Sequence, residues 1–392
     1  MRRVHFVALL FVATLGFGSA DDKKDAPKPA AELPEIKELP NPFTFANGNP
    51  VRTKEDWARR REEIKALFQD YEYGHLPPEP KMTVTRGDVT TDKDANVSVR
   101  ELTLDLEHES NKATMKLRVA WPADAKEAVP VVLQSTFGFG GKGPPPAKAF
   151  APFTRRGYGV AQFTLNEAAV DNKRAGGVYK LYGDKIDCGS LMAWAWAFHR
   201  VIDALEGVKE VDAKRAIVTG HSRYGKAALL AGAFDARIAL TVPSHSGAGG
   251  SAPYRLIYAK NEELKNISGA FPNWFHPDFK QFADKVTRLP VDQHMLMALV
   301  APRPLLQPEG TQDTWTNPEG VQQTYAAAKK VYELLGAGDR INIRYRPVGH
   351  IPSNDDLLDY ADHVFFKKAL PEAFGKLEYK PDPKAFSWDV PK

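Results

Sequence analysis

Ser222 lies in Gly220-His221-Ser222-Arg223-Tyr224-Gly225. It follows the apolar run Ala216-Ile217-Val218 and precedes the alanine-rich Lys226-Ala227-Ala228-Leu229-Leu230-Ala231. That order predicts a strand, a sharp turn carrying a serine, and a helix beginning near Tyr224. Such a turn lifts Oγ clear of the backbone and sets it at a helix N-terminus, where free N–H groups and the helix dipole favour developing negative charge. A serine hydroxyl is a poor nucleophile unaided; it needs a base, and the base needs an orienting acid. His350 fits the base, in the loop Pro347-Val348-Gly349-His350 after the strand pattern Ile341-Asn342-Ile343-Arg344-Tyr345. His363, inside Tyr360-Ala361-Asp362-His363-Val364-Phe365, reads instead as a helix-face residue. Asp313, in Glu309-Gly310-Thr311-Gln312-Asp313-Thr314-Trp315, fits the acid, with Glu309 as the alternative carboxylate. The bland reading of Asp313 is a turn or cap before Asn317-Pro318-Glu319-Gly320.

A tetrahedral oxyanion needs preorganised donors. The backbone N–H of Arg223 is one candidate. The glycine-rich loop from Phe137 to Gly143 is another, although it reads equally as a plain turn. The Arg223 guanidinium, next to the nucleophile, suits an oxyanion or a substrate carboxylate, against the simpler reading of a salt-bridged surface arginine. No cofactor is implied. His108-Glu109 is followed by Lys112 where a zinc-binding H-E-x-x-H needs histidine, and Cys188 is the one cysteine. The glycine loop runs into Pro144-Pro145-Pro146, not into the helix start that a phosphate cradle requires.

These residues need elements to hold them. Parts of Val84 to Val119 alternate apolar and polar, as half-exposed antiparallel strands do. Val129 to Leu133 is continuously apolar, as a strand buried on both faces should be. Gly159 to Phe163, Ile238 to Pro243, Leu299 to Leu306 and Ile341 to Tyr345 are further expected strands. Trp57 to Phe68, Leu191 to Leu205 and Ala326 to Leu335 are expected helices. The alternation predicts an α/β fold, a doubly wound, mostly parallel sheet with helices on both faces. With the serine turn, this is the α/β-hydrolase pattern. One detail departs from it: the usual elbow has glycine two residues after the serine, and here Tyr224 holds that place.

The chain has 392 residues, a formal net charge of +4 and 43% hydrophobic residues, an ordinary globular composition. Residues 1–20 carry a basic start, an apolar stretch and a small-residue end, the pattern of a secretory signal peptide and too short in its apolar part for a membrane span. Its loss removes Arg2 and Arg3 and lowers the charge from +4 to +2. That balance points to no nucleic-acid partner, and after cleavage to no membrane. A secreted or periplasmic location is expected. Residues 21–40 read as a flexible lead-in, 41–375 as a single domain and 376–392 as an extended tail. Cys188 reads as a packed thiol.

Taken together, the motifs resemble the glucuronoyl esterases, carbohydrate esterase family 15. Gly220-His221-Ser222-Arg223-Tyr224-Gly225-Lys226 is similar to the family's G-x-S-R-x-G-K signature, in which the later glycine is normal. Also similar are Gly189 to Trp196, Ser246-Gly247-Ala248-Gly249-Gly250, Phe271-Pro272-Asn273-Trp274-Phe275, Leu289-Pro290-Val291-Asp292-Gln293-His294, and Ala301-Pro302-Arg303-Pro304 followed by Asp313-Thr314-Trp315. The resemblance runs from about residue 40 to 370. It implies Ser222 as nucleophile, His350 as base and an Arg223 side chain that helps hold the oxyanion. It further implies Lys226 on sugar hydroxyls, Trp315 bordering the uronate and Glu262 touching the sugar. Many members carry a glutamate just before S-G-x-G-G as the triad acid; here His245 stands there. Bacterial members often place the acid two residues before the tryptophan, where Asp313 stands. His245 itself is expected only to pack. A second departure is Pro347-Val348 before Gly349-His350, with no tryptophan soon after. The implied activity is hydrolysis of 4-O-methyl-glucuronoyl esters that join xylan to lignin alcohols. A deacetylase of xylan or another polysaccharide, and a non-catalytic carbohydrate-binding protein on a hydrolase scaffold, are the alternatives.

Overall fold

The computed structural model describes residues 27–136 and 145–391. The expected signal segment and the glycine loop lie outside them. Among the described residues, nine strands form one sheet in the order β1-β2-β3-β5-β4-β6-β7-β8-β9. β1 (Lys81–Asp92), β2 (Val97–His108) and β3 (Asn111–Pro122) are antiparallel neighbours, as their alternation predicts. β3 joins β5 (Gly159–Thr164) antiparallel. From β5 onward the neighbours are parallel: β4 (Val129–Thr136), β6 (Val211–His221), β7 (Leu240–Ser244), β8 (Leu305–Gly310) and β9 (Ile341–Arg346).

The continuous apolar runs follow from burial on both faces. Val131, Leu133, Ala161, Phe163 and Val218 pack into one core with α4 (Ser190–Leu205) and α5 (Arg223–Phe234). Their alternates Val132, Val160, Ile217, Leu240 and Val242 pack into a second core with α2 (Ala151–Thr154) and α9 (Asn354–Phe366). α1 (Lys54–Phe68), α3 (Gly177–Tyr182), α6 (Leu264–Ala270), α7 (Gln293–Ala298) and α8 (Pro318–Leu334) complete the helices of the described residues. Trp194 and Trp196 on α4 are buried, as is Cys188, whose thiol burial pushes up to about 12. No helix among the described residues is long and apolar enough to cross a membrane.

Three expectations need correction. Leu299 to Pro304 is not strand. The N–H groups of Leu299, Val300 and Ala301 bond back to Met295, Met297 and Ala298, and Pro302 and Pro304 have no N–H to give a ladder, so β8 starts at Leu305. The lead-in is not loose over 27–40. Leu33 and Leu39 are buried, and Ile36 N–H donates to Thr287 O at 2.7 Å. The tail is extended but docked. Leu39 N–H donates to Ala385 O at 2.8 Å, Trp388 Nε1–H donates to Leu39 O at 2.8 Å, and Ala385 is buried. The folded unit therefore continues beyond 41–375 at both ends, because each flanking segment supplies the other's hydrogen-bond partners.

Candidate active site

β6 delivers Ser222 and α5 begins at the next residue. Ser222 sits at φ 60°, ψ −126°, a conformation that costs a non-glycine residue about 1–3 kcal/mol and persists only where the surroundings enforce it. Two hydrogen bonds do so: Ser222 N–H donates to Ser244 O at 3.0 Å and Lys226 N–H to Ser222 O at 3.1 Å. The flanking glycines allow the close approach. A Cβ on Gly220 would stand 2.2 Å from Tyr224 O, and one on Gly225 2.8 Å from Ser244 O. Position 225 is therefore where this elbow needs its glycine. Position 224 can take a large residue, and the Tyr224 ring packs edge-on against Trp194 with centroids 5.4 Å apart.

The acid and base loops follow β8 and β9 and are tied together by Gln312 N–H to Val348 O at 3.1 Å. Asp313 Oδ2 accepts from His350 Nδ1 at 2.6 Å, and from His245 Nδ1 at 2.8 Å. Burial pushes the Asp313 carboxyl up, but the hydrogen bonds from His245 and His350 outweigh it and hold the group well below the usual carboxylate range. His221 stacks on His350 with centroids 4.2 Å apart. Burial, then the neighbouring His350 and His245, lowers His221 to about 4, which leaves it neutral near pH 7. Glu309 is not on this relay. It is buried beneath it, with Oε1 accepting from Gln307 Nε2 at 2.7 Å and Oε2 lying 3.3 Å from Thr316 Oγ1. Burial pushes its carboxyl well above the ordinary range and so favours its protonated form. His363 stays on α9, with its Nδ1 at 2.9 Å from Lys368 O.

Arg223 is clamped. Nη1 pairs with Asp171 Oδ2, and the guanidinium lies over Trp274 at 5.0 Å and Phe271 at 5.3 Å. Those two rings are themselves stacked, centroids 3.9 Å apart, and Trp274 Nε1–H donates to Asp171 Oδ1 at 2.7 Å. Lys226 is buried. Its ammonium donates to Glu262 Oε2 at 2.9 Å, to Ser246 O at 2.7 Å and to Ala248 O. All three N–H groups are engaged, so a sugar hydroxyl must displace an acceptor to reach it. Glu262 N–H donates to Trp315 O at 3.0 Å, which joins Lys226, Glu262 and Trp315 into one wall. Trp315 is 49% exposed and Ile351, next to His350, is 55% exposed, so the site is open to a large substrate.

Among the described residues, His245, Asp313 and His350 have donor atoms close enough together to consider for a cation. Their contacts at 2.6 and 2.8 Å are hydrogen-bond distances. Ligands around a zinc ion stand roughly 3.3 Å from one another.

A family model described as "Glucuronyl esterase, fungi" matches residues 104–336. A 4-O-methyl-glucuronoyl methylesterase of Cerrena unicolor is 36% identical over 312 residues, covering 77% of this chain. A carbohydrate esterase family 15 glucuronoyl esterase structure from Caldicellulosiruptor kristjansonii is 35% identical. It superposes with a TM-score of 0.80 over 92% of this chain and 99% of that one. The chain belongs to the glucuronoyl esterase family. Its fold is accordingly that of the α/β-hydrolases. A further family structure is a mutant from Sporotrichum thermophile in complex with methyl 4-O-methyl-beta-D-glucopyranuronate. It is 27% identical with a TM-score of 0.74, over 91% of this chain and 94% of that one. The chain spans about 63% of the length of the Cerrena relative.

Within this family member, Ser222, Asp313 and His350 come from the three places the sequence indicates. Asp171, Trp274 and the Asp313 contact of His245 were missed. Phe271-Pro272-Asn273-Trp274-Phe275 marks the aromatic segment, but nothing local to Val170-Asp171-Asn172 announces a partner for Arg223. For His245, the signal was its position before Ser246-Gly247-Ala248-Gly249-Gly250, a place that faces the acid.

Proposed function

We propose that the protein is a secreted serine esterase that hydrolyses esters of glucuronic acid, of the 4-O-methyl-glucuronoyl kind carried on xylan. Ser222 Oγ attacks the uronoyl carbonyl and His350 Nε2 takes its proton. Asp313 orients the ring through Nδ1 and stabilises the imidazolium. The Arg223 backbone N–H, at the start of α5 and outside any i→i−4 bond, and the clamped guanidinium stabilise the oxyanion. His350 then protonates the departing alcohol, and water enters by the same route to release the acid from the glucuronoyl-enzyme. Trp315 and Glu262 border the sugar, with Lys226 behind Glu262.

The observation that carries this reading is the 2.6 Å Asp313–His350 hydrogen bond beside a serine held at φ 60°. The family's named activities and the Sporotrichum complex supply the substrate class. The test is hydrolysis of methyl or benzyl glucuronate beside acetylated xylan, with wild type and Ser222→Ala. Uronate-ester turnover lost in the mutant is expected. Acetate release alone would replace the reading with a deacetylase; silence on both would leave a binding protein. Mass determination of the mature chain exported by its native host checks the leader: an N-terminus near residue 21 is expected.

A further inference from the structure

We infer that His245 is a positioning residue for the triad acid: it supplies Asp313 Oδ2 with a second, fixed hydrogen bond that orients the carboxylate toward His350. This rests on the triad reading above. His245 follows β7, is fully buried, and sits at φ 47°, a left-handed backbone that a histidine adopts at a cost. The surroundings enforce it. His245 N–H donates to Pro308 O at 3.2 Å, and a Cβ on Gly310 would stand 2.9 Å from His245 Cε1. Gly310 thus leaves room for the ring. The ring meets His350 at 90° with centroids 5.6 Å apart, and both Nδ1 atoms converge on the same oxygen.

The tautomer follows from the partners. A carboxylate only accepts, so Nδ1 carries the hydrogen. Nε2 is buried with no hydrogen-bond partner among the described residues. A second proton there would create a buried N–H with nothing to accept it. His245 therefore gives a hydrogen bond without adding a charge. A carboxylate side chain at the same place would do the reverse, setting two acids around one proton. The histidine leaves Asp313 as the one carboxylate bonded to His350 among the described residues and fixes its geometry.

The charged and titratable groups that act on this pair are His350 after β9, His221 at the end of β6 and Glu309 on β8. The donor spreads negative charge away from Oδ2. Without it, Asp313 holds the His350 imidazolium more strongly. His350 must be neutral to act as base, so the acid limb of kcat/KM against pH moves to higher pH.

The variants are His245→Leu, which removes the donor, and His245→Asn, whose Nδ2–H stands as many bonds from Cα as the histidine Nδ1–H, assayed on benzyl glucuronate. For His245→Leu, kcat is expected to fall about ten- to hundredfold with KM little changed, the loss of one charge-assisted hydrogen bond from the relay. The acid limb is expected to rise by about 1 pH unit. His245→Asn is expected to recover most of kcat and the original limb. A folded His245→Leu with wild-type kcat and limb overturns the inference. A measurement on the wild type stands even if the leucine variant does not fold. With ¹⁵N-histidine labelling, two strongly downfield Nδ1–H resonances are expected, from His350 and His245, both altered by Asp313→Asn; a single one overturns the inference. Should Asp313→Asn and Ser222→Ala both stay active, the triad reading falls. Should both be inactive while His245→Leu behaves as wild type, only the role of His245 falls.

Discussion

Asp171 is predicted to act on the reaction through Arg223 alone, and a double-mutant cycle measures this. The guanidinium is held on three sides, by the Asp171 carboxylate and by the faces of Trp274 and Phe271 at 5.0 and 5.3 Å. Both ends of the ion pair are part-exposed, with side-chain accessibilities of 28% and 29%, so screening limits the pair to about 1 kcal/mol. Asp171→Asn keeps an oxygen for Trp274 Nε1–H and removes only the charge. The rings still grip the cation, so kcat should fall about fivefold, which is what about 1 kcal/mol of lost orientation amounts to. Arg223→Met removes the charged donor itself and should cost about 10²–10³ in kcat, the range for one oxyanion donor. The double mutant should be no worse than Arg223→Met. The assay is steady-state hydrolysis of benzyl glucuronate for all four proteins, with thermal unfolding to confirm folding. Additive losses, with the double mutant about fivefold below Arg223→Met, would refute the argument by giving Asp171 a role of its own.

Glu309→Gln should leave kcat within about threefold of wild type, since it lies off the Asp313–His350 hydrogen bond and burial favours its protonated form, whereas Asp313→Asn should lose on the order of 10⁴ by offering His350 an amide and the wrong tautomer; paired rate measurements decide between the two carboxylates. Lys226→Met keeps the stem volume but strands the buried Glu262 carboxylate, so urea unfolding should show a loss of about 3–5 kcal/mol, partly restored by adding Glu262→Gln. Burial lowers His294 to about 4, below its unfolded value of about 6.5. Between those pH values the unfolded chain takes a proton that the folded one refuses. Its contribution is therefore full above pH 6.5 and lost as pH falls, by about 3 kcal/mol at most. His294→Gln should reduce the slope of unfolding free energy over pH 4 to 6.5 by about one proton.

How much was legible varied with the range of the interaction that decides each feature. The parallel strands announced themselves because burial on both faces forces continuous apolar runs, as at Val129 to Leu133. The order Ser222, Asp313, His350 was readable because each lies just past a strand pattern. Leu299 to Pro304 misled because an apolar run after α7 looks like a strand until its prolines are weighed. The flanking segments misled in the opposite direction. Their lysines, aspartates and prolines suggest a solvated chain, but Leu33 and Trp388 pack against the main core, and Leu39 and Ala385 are buried and hydrogen-bonded to each other across the whole chain. Asp171 and the His245 contact were out of reach for the same reason: each is a tertiary pairing, 52 and 68 residues from its partner.

The distribution of charge explains why so many ionisable groups can share this small site. Arg223 is matched by Asp171 and Lys226 by Glu262. Burial pushes the Glu309 carboxyl toward its protonated form, and burial with the neighbouring rings keeps His221 neutral near pH 7. His245 contributes a hydrogen bond to Asp313. Among these described groups of the resting site, Asp313 is then the one negative charge without a cation of its own. In the proposed mechanism, when His350 takes the Ser222 proton, the imidazolium forms against that charge at 2.6 Å, and the oxyanion forms at the start of α5 beside Arg223. Both charges created by the reaction thus appear where an opposite field already stands, so little of the surroundings has to reorganise in the transition state. An ionised Glu309, or a second carboxylate at position 245, would place competing negative charge around His350. It would draw the proton there before substrate arrives and blunt its action as a base. Keeping negative charge off these two positions thus matters to the proposed chemistry as much as the proposed triad does.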